Sequence, residues 1–212
     1  MGIKIIYFPF KGRAEPVRLA LTIAGIDFED TRVTGEEFAK MKADGVLPFG
    51  QFPIIEVDGK PLAQSVAQLI YAGRLAGLIP SDTWEEAKVM EFQMGIEDIV
   101  TAMIPALMEK DEAKKMEMKK ELADVTFPKW FGYMEKLAGD GGYAVGSKLT
   151  IADLSLYNLM SWLKDGIVGI PKDMFDHGKH TKLNKVFATV DGHEKVKAWN
   201  AAVNEPKKQT PH

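Results

Sequence analysis

Two regimes of hydrophobic patterning follow one another along the chain. In the first, short apolar runs alternate with segments of helical spacing. Ile3–Phe8 is a near-continuous apolar run ending in aromatics, which predicts a buried strand. After the loop 9–12, Ala14, Val17, Leu19, Ala20, Leu21 and Ile23 recur at helical spacing, with Pro16 in the first turn and Gly25 as the stop. Phe28–Val33 predicts a second strand, Glu36–Lys42 a short helix and residues 43–50 a loop. Ile54–Val57 is β-branched, Asp58-Gly59 favours a two-residue hairpin turn, and Pro61 and Leu62 begin the return strand. Ser65 then reads as the N-cap of a helix over 66–76. The order β-α-β-α-β-β-α opens with a strand–helix–strand unit, which requires a right-handed crossover. It fits an α/β thioredoxin-like domain over residues 1–79.

Beyond the break at 78–82 only helical spacing recurs, so residues 84–212 read as a second, all-α domain. Trp84–Lys110 carries Phe92, Ile96, Ile99, Val100, Met103 and Leu107 on one stripe, a long amphipathic helix that Pro105 should bend near residues 101–102. Lys114–Leu137 predicts a second long helix, ended by Gly139, Gly141 and Gly142. Thr150 and Asp153 form a capping box with Asp in place of the usual Glu, opening an apolar helix to about Leu163. Helices are expected over 180–190 and 193–203, with a frayed polar tail from Asn204.

Composition narrows the chemistry more than the fold. With 27 basic and 30 acidic residues the net charge is -3, so no field favours nucleic acid or an anionic membrane. No apolar run approaches the roughly 18 residues of a membrane span, and no basic-then-apolar leader opens the chain. The sequence has no cysteine, which excludes disulfides, zinc–thiolate centres and a cysteine nucleophile and favours a cytoplasmic setting.

The candidate chemistry clusters in two places. Tyr7 ends the first strand, where ligands bind in open α/β sheets. It is either a plain strand aromatic or a hydroxyl placed to donate to a thiolate. Arg13 opens the following helix, where a cation is mildly unfavourable; it either pairs with Glu15 or Asp30 or has another task. The second place is 47–68. Were the Phe52–Pro53 bond cis, the Phe52 N–H and C=O would offer a strand-like edge to a peptide. Gln64-Ser65 at a helix N-terminus would offer a socket for a carboxylate. Lys42 suits the end of its helix and needs no function. Glu97 and Asp98 interrupt the apolar face of the long helix, either on its solvated side or, for Asp98, bordering a second subunit's cleft. His177 and His180 lack a third ligand nearby, so no metal is expected.

Taken together, YFPFKGRAEPVRLAL at 7–21, LPFGQFPIIEVDG at 47–59, Gln64-Ser65 and LTIADLSLYNL at 149–159 resemble the cytosolic glutathione transferases, most closely the sigma-like, tyrosine-type branch. The resemblance implies the two-domain glutathione transferase fold and a homodimer with glutathione as co-substrate. It implies that Tyr7 hydrogen-bonds the glutathione sulfur and that Arg13 supports the thiolate. Phe52 before Pro53 would pair with the cysteinyl residue, Gln64 and Ser65 would hold the γ-glutamyl end, and Gln51 would lie beside it. Lys42 would meet the glycine carboxylate, and Asp98 would reach the γ-glutamyl amine of the neighbouring subunit. Phe8 would open an electrophile pocket, to which placement adds Phe10, Val100, Ile104, Ser155 and Leu159. Thr150 and Asp153 would be a folding element.

Two departures stand out: Phe38 replaces the tryptophan usual in the sigma branch, and two extra residues lie between Lys42 and Leu47. Loop 8–14 holds no Ser or Cys, against the serine- and cysteine-type branches. The implied activity is conjugation of the glutathione thiolate to hydrophobic electrophiles, as in detoxification. A glutathione-dependent isomerase of the prostaglandin D synthase kind would use the same residues, and a carrier or lens-type relative would keep the fold without the chemistry.

Overall fold

A computed structural model of the chain describes residues 1–166, 170–172 and 178–204. His177 and the tail beyond Asn204 lie outside the described residues. Among the described residues four strands, β1 (Ile3–Tyr7), β2 (Glu29–Arg32), β3 (Ile54–Val57) and β4 (Lys60–Ala63), form one mixed sheet in the order β2-β1-β3-β4. β1 runs parallel to β2, with Ile5 opposite Asp30, and antiparallel to β3, with Ile5 opposite Ile55. The β3–β4 turn falls at Asp58-Gly59, both at positive φ (49° and 77°), the pairing a tight hairpin needs.

Helices α1 (Glu15–Ala24), α2 (Gly35–Ala43) and α3 (Ser65–Leu75) complete this thioredoxin-like domain. A short 3-10 turn, Gly12–Ala14, leads into α1, and Gly25 ends it in the left-handed region with its N–H on the Leu21 and Thr22 carbonyls. Thr34 and Glu37 close a full capping box on α2, a signal the hydrophobic pattern did not draw out. The hydroxyl of Ser65 caps nothing. Gln64 occupies the N-cap at φ 70° without a side-chain cap, and Ser65 is the first helical residue. The expected Ser65 cap is therefore corrected: an N-cap side chain must precede the free N–H groups, and Ser65 already stands among them.

The helical domain comprises α4 (Thr83–Met108), α5 (Glu112–Glu121), α6 (Phe127–Leu137), α7 (Ile151–Gly166), α8 (Thr181–Gly192) and α9 (Glu194–Asn204). α4 runs on through Pro105 to Met108. The expected second long helix is two helices joined by a π turn at Leu122–Thr126. Pro128 supplies the reason, since it lacks the N–H for an α-type bond, while the Phe127 N–H reaches back five residues to Leu122.

At the head of α7, buried Asp153 accepts from the Ala144 N–H (2.6 Å), the Thr150 N–H (2.7 Å) and the Thr150 hydroxyl (2.8 Å). The capping pair thus also fastens the preceding loop. α1 packs against α3, α7 and α9, so it is shared by both halves of the fold. Trp199 Nε1 on α9 donates to Glu15 Oε1 at 2.7 Å, and Lys195 Nζ to the Ile23 carbonyl at 2.7 Å. The Ile151 N–H donates to the Leu78 carbonyl at 3.1 Å.

Candidate functional site

The C-terminal end of β1, the N-terminus of α3 and the middle of α4 converge on a cavity of about 670 Å³. Tyr7, Phe8, Arg13, Phe38, Gln51, Phe52, Pro53, Gln64 and Ser65 all line it, so the structure brings together residues from both stretches the sequence singled out. Glu97, Thr101, Ile104 and Pro105 of α4 close the far wall.

Tyr7 is nearly buried, and its hydroxyl accepts the Arg13 backbone N–H at 3.3 Å. Burial pushes the phenol above its ordinary value of 10, against the pull of that N–H and of the Arg13 and Arg18 charges. Tyr7 therefore keeps its proton at neutral pH and stands as a hydrogen-bond donor rather than a base. Gly12 is what allows the loop to pass so close, since a Cβ there would lie 2.5 Å from the Tyr7 Oη, at φ 49°.

The Arg13 side chain goes elsewhere. Its guanidinium meets Glu97 at 2.5 Å and Ser65 Oγ at 3.4 Å, joining α4 to the head of α3. Neither Glu15 nor Asp30 is its partner, because buried Arg18 takes both and also donates to the Phe10 and Lys11 carbonyls. Arg13 thus reaches Tyr7 through its backbone and orders the cleft through its side chain.

Around Tyr7 the rings pack closely. Phe8 lies 5.3 Å from Phe38 and 5.4 Å from Phe52, and Phe38 lies 4.9 Å from Phe52, all edge-on or tilted. Phe38 thereby turns one wall of the cavity apolar. The Phe52–Pro53 bond is cis, and the Pro53 carbonyl is held by Gln68 Nε2 at 2.7 Å. At the opposite end, the head of α3 has no side-chain cap, and Gln64 and Ser65 there line the cavity, a place suited to a carboxylate.

Other expected residues are scattered. Lys42 is exposed and its chain lies over Gly50, next to Gln51. Asp98 is exposed on the outer face of α4, away from the cavity of its own chain. Of the expected electrophile residues, Phe8 and Ile104 line the main cavity. Val100, Ser155 and Leu159 are buried around a separate interdomain pocket of about 30 Å³, the size of one or two waters. Phe10 stands half exposed on an outer groove with Trp162. Sequence reasoning missed Glu97 as an Arg13 partner and passed over Asn158, whose Nδ2 donates to the Gly12 carbonyl at 3.0 Å. A charge breaking the apolar stripe of α4 was the available signal for Glu97; Asn158 had none.

Sequence comparison decides the family. The profile of the glutathione S-transferase N-terminal domain matches residues 3–74, and that of the C-terminal domain matches residues 97–202. The chain belongs to the glutathione S-transferase family. Glutathione S-transferase 1 of Ascaris suum is 33% identical over 207 residues, covering 93% of this chain and 95% of the relative. Among solved structures, prostaglandin synthase D of Nilaparvata lugens superposes with a TM-score of 0.86 at 29% identity, covering 97% of this chain and 99% of that one. Monomeric Na-GST-3, a glutathione S-transferase of Necator americanus, superposes with a TM-score of 0.82 at 29% identity, covering 98% and 100%. The thioredoxin-like N-terminal and helical C-terminal domains are thus those of the glutathione S-transferase fold.

Proposed function

We propose that the protein binds glutathione in the cavity beside Tyr7 and transfers it, as the thiolate, to hydrophobic electrophiles. The observation that carries this reading is a neutral, nearly buried Tyr7 hydroxyl whose oxygen already accepts the Arg13 N–H, leaving its proton for the cavity. A free thiol titrates near 8.5, and lowering it by about two units takes roughly 2.7 kcal/mol. One hydroxyl donating to the sulfur, reinforced by nearby positive charge, is of that order.

The cavity fits the tripeptide. The uncapped head of α3, with Gln64 and Ser65, suits the γ-glutamyl carboxylate, and the Phe52 backbone with Gln51 suits the cysteinyl unit. Lys42 beside Gly50 suits the glycine carboxylate. Phe38 adds no donor there, which leaves the exposed Lys42, beside Gly50 and outside the cavity lining, as the charge available to that end. The electrophile then approaches Phe8 and Ile104, where the walls are apolar. The domain division at residues 79 and 84 and the sigma-like assignment belong to the same reading.

We also infer a homodimer in which Asp98 serves the neighbouring site. Its support is an outer face of α4 on which Asp98, Met94 and Trp84 all stand exposed. Sedimentation tests it, and a monomer, as described for Na-GST-3, would remove Asp98 from the site. A cytoplasmic location accords with this reading; among the described residues no helix is long and apolar enough to cross a membrane.

Conjugation of glutathione to an aryl halide, wild type beside Tyr7→Phe, tests the central assignment. Loss of most turnover with glutathione binding retained is the expected result; equal turnover in the two proteins would overturn it. The likeness to a prostaglandin synthase favours one second reading, glutathione-dependent isomerisation. It would show as isomerase turnover exceeding conjugation, both abolished by Tyr7→Phe. Binding without any turnover would point to a carrier.

A further inference from the structure

We propose that Asn158, on α7 of the helical domain, is a positioning residue for Tyr7 that acts through the Gly12–Arg13 peptide. Asn158 Nδ2 donates to the Gly12 carbonyl at 3.0 Å, and the N–H of the same peptide unit, that of Arg13, donates to the Tyr7 Oη at 3.3 Å. A peptide unit is planar, so fixing its carbonyl fixes the direction of its N–H. The second lone pair of that carbonyl takes the Glu15 N–H within the 3-10 turn, which leaves Asn158 as the contact from outside the loop.

Two consequences follow for the phenol. An oxygen that accepts the Arg13 N–H has one proton left to give, and Tyr7 lines the main cavity, so the proton is directed toward the substrate side. A carbonyl polarised by an amide donor also makes its own N–H the better donor, which stabilises electron density on the Tyr7 oxygen when the sulfur becomes an anion. Gly12 is buried at φ 49°, and a Cβ added there would lie 2.5 Å from the hydroxyl, so this peptide runs beside the phenol and its rotation changes the aim of the Arg13 N–H at the Tyr7 oxygen.

The neighbouring carbonyls do not share this role. Arg18 holds the Phe10 and Lys11 carbonyls, and Arg32 also reaches Phe10, so those cations set the loop's path while Asn158 sets the last peptide. The charged groups facing Tyr7 are Arg13 of the loop, Arg18 of α1 with its guanidinium carbon 5.8 Å from the ring centre, and Glu97 of α4 through Arg13. The Asn158 amide donates to the Gly12 carbonyl rather than to any of the three, so its substitution should leave them in place.

The inference rests on Tyr7 as the partner of the glutathione thiol, and the test separates the two. The ultraviolet band of the bound thiolate is titrated against pH in the wild type, Asn158→Ala, Tyr7→Phe and the double variant, with thermal transitions recorded for each. Asn158→Ala should raise the apparent pKa of the bound thiol by about half a unit to one unit, the size of one lost hydrogen bond. The acid limb of kcat/KM should move with it, while KM for glutathione stays within about twofold. In the Tyr7→Phe background the same substitution should move the titration no further.

Asn158→Asp, equal in size, keeps the packing but turns an acceptor toward the Gly12 carbonyl, and should shift the titration at least as far. It carries the test if Asn158→Ala does not fold. A folded Asn158 variant whose thiol titrates as in the wild type would overturn the inference, as would an equal shift with Tyr7 absent. Wild type and Tyr7→Phe titrating alike would instead bring down the Tyr7 assignment itself, and the inference with it.

Discussion

Arg13 and Glu97 meet across the interdomain cleft at 2.5 Å, though they stand 84 positions apart in the sequence. The pair is about one quarter exposed on each side, so solvent screens it and its stabilisation is modest, about 1 kcal/mol. Glu97→Ala should lower the thermal midpoint by about 2–4 °C. It also leaves the guanidinium to wander from Ser65, so KM for glutathione should rise severalfold with a smaller change in kcat. Differential scanning calorimetry and initial rates check both; an unchanged KM would mean the pair is structural only.

A side chain at Gly12 would run into the Tyr7 hydroxyl. In Gly12→Ala the new methyl group must displace the phenol, and the left-handed backbone adds strain. A shift of the donor by about 1 Å is worth roughly ten- to a hundredfold in rate. The expected outcome is a fall of that size in kcat/KM with the far-ultraviolet circular dichroism unchanged.

Asp153 is fully buried and satisfies three donors at once, from Ala144 and Thr150. Asp153→Ala would leave all three without a partner away from water. At about 1–3 kcal/mol for each orphaned group, relieved in part by relaxation, a loss near 3 kcal/mol and a thermal midpoint lower by about 6–12 °C are expected. Activity per folded molecule should change little, which kinetics well below the transition would show.

Tyr157 links α7 to α8 and α9, donating to Asp191 at 3.0 Å and accepting from Asn200 at 2.8 Å. Burial, with the Asp191 carboxylate beside it, pushes the phenol up to about 12. Unfolding returns it to about 10. Between these values the native state holds a proton that the unfolded chain has lost, so this contribution is full below pH 10 and declines as pH rises toward 12. Urea titrations of the wild type and Tyr157→Phe between pH 9 and about 11.5 should show the steeper loss in the wild type.

Local chemistry made much of this molecule legible from its sequence. The β-branched run at Ile54–Val57 and the Asp58-Gly59 turn encode their hairpin within ten residues, and Gly25 announces the end of α1 at its own position. The misread elements depend on finer local rules. Ser65 resembles a cap but lies one residue inside its helix, and the effect of Pro128 on the α5–α6 junction is lost in an otherwise continuous helical pattern. At the site, Tyr7 and Gln64-Ser65 came from motif and position. Glu97 and Asn158 act across more than eighty residues of chain, and only the folded arrangement discloses what each touches. Val100, Ser155 and Leu159 show the converse, since helical spacing places them on inward faces without saying which cavity those faces enclose.

The sharing of α1 between the two halves bears on how the protein comes apart. Trp199 and Lys195, near the end of the chain, grip α1 near its two ends, and Ile151 is tied to Leu78 just before the connecting segment. Neither half can shed the other without exposing the helix both lean upon. Melting should therefore be a single concerted event, and a peptide bond cut by a protease between residues 79 and 82 should leave two fragments still clasped as one particle.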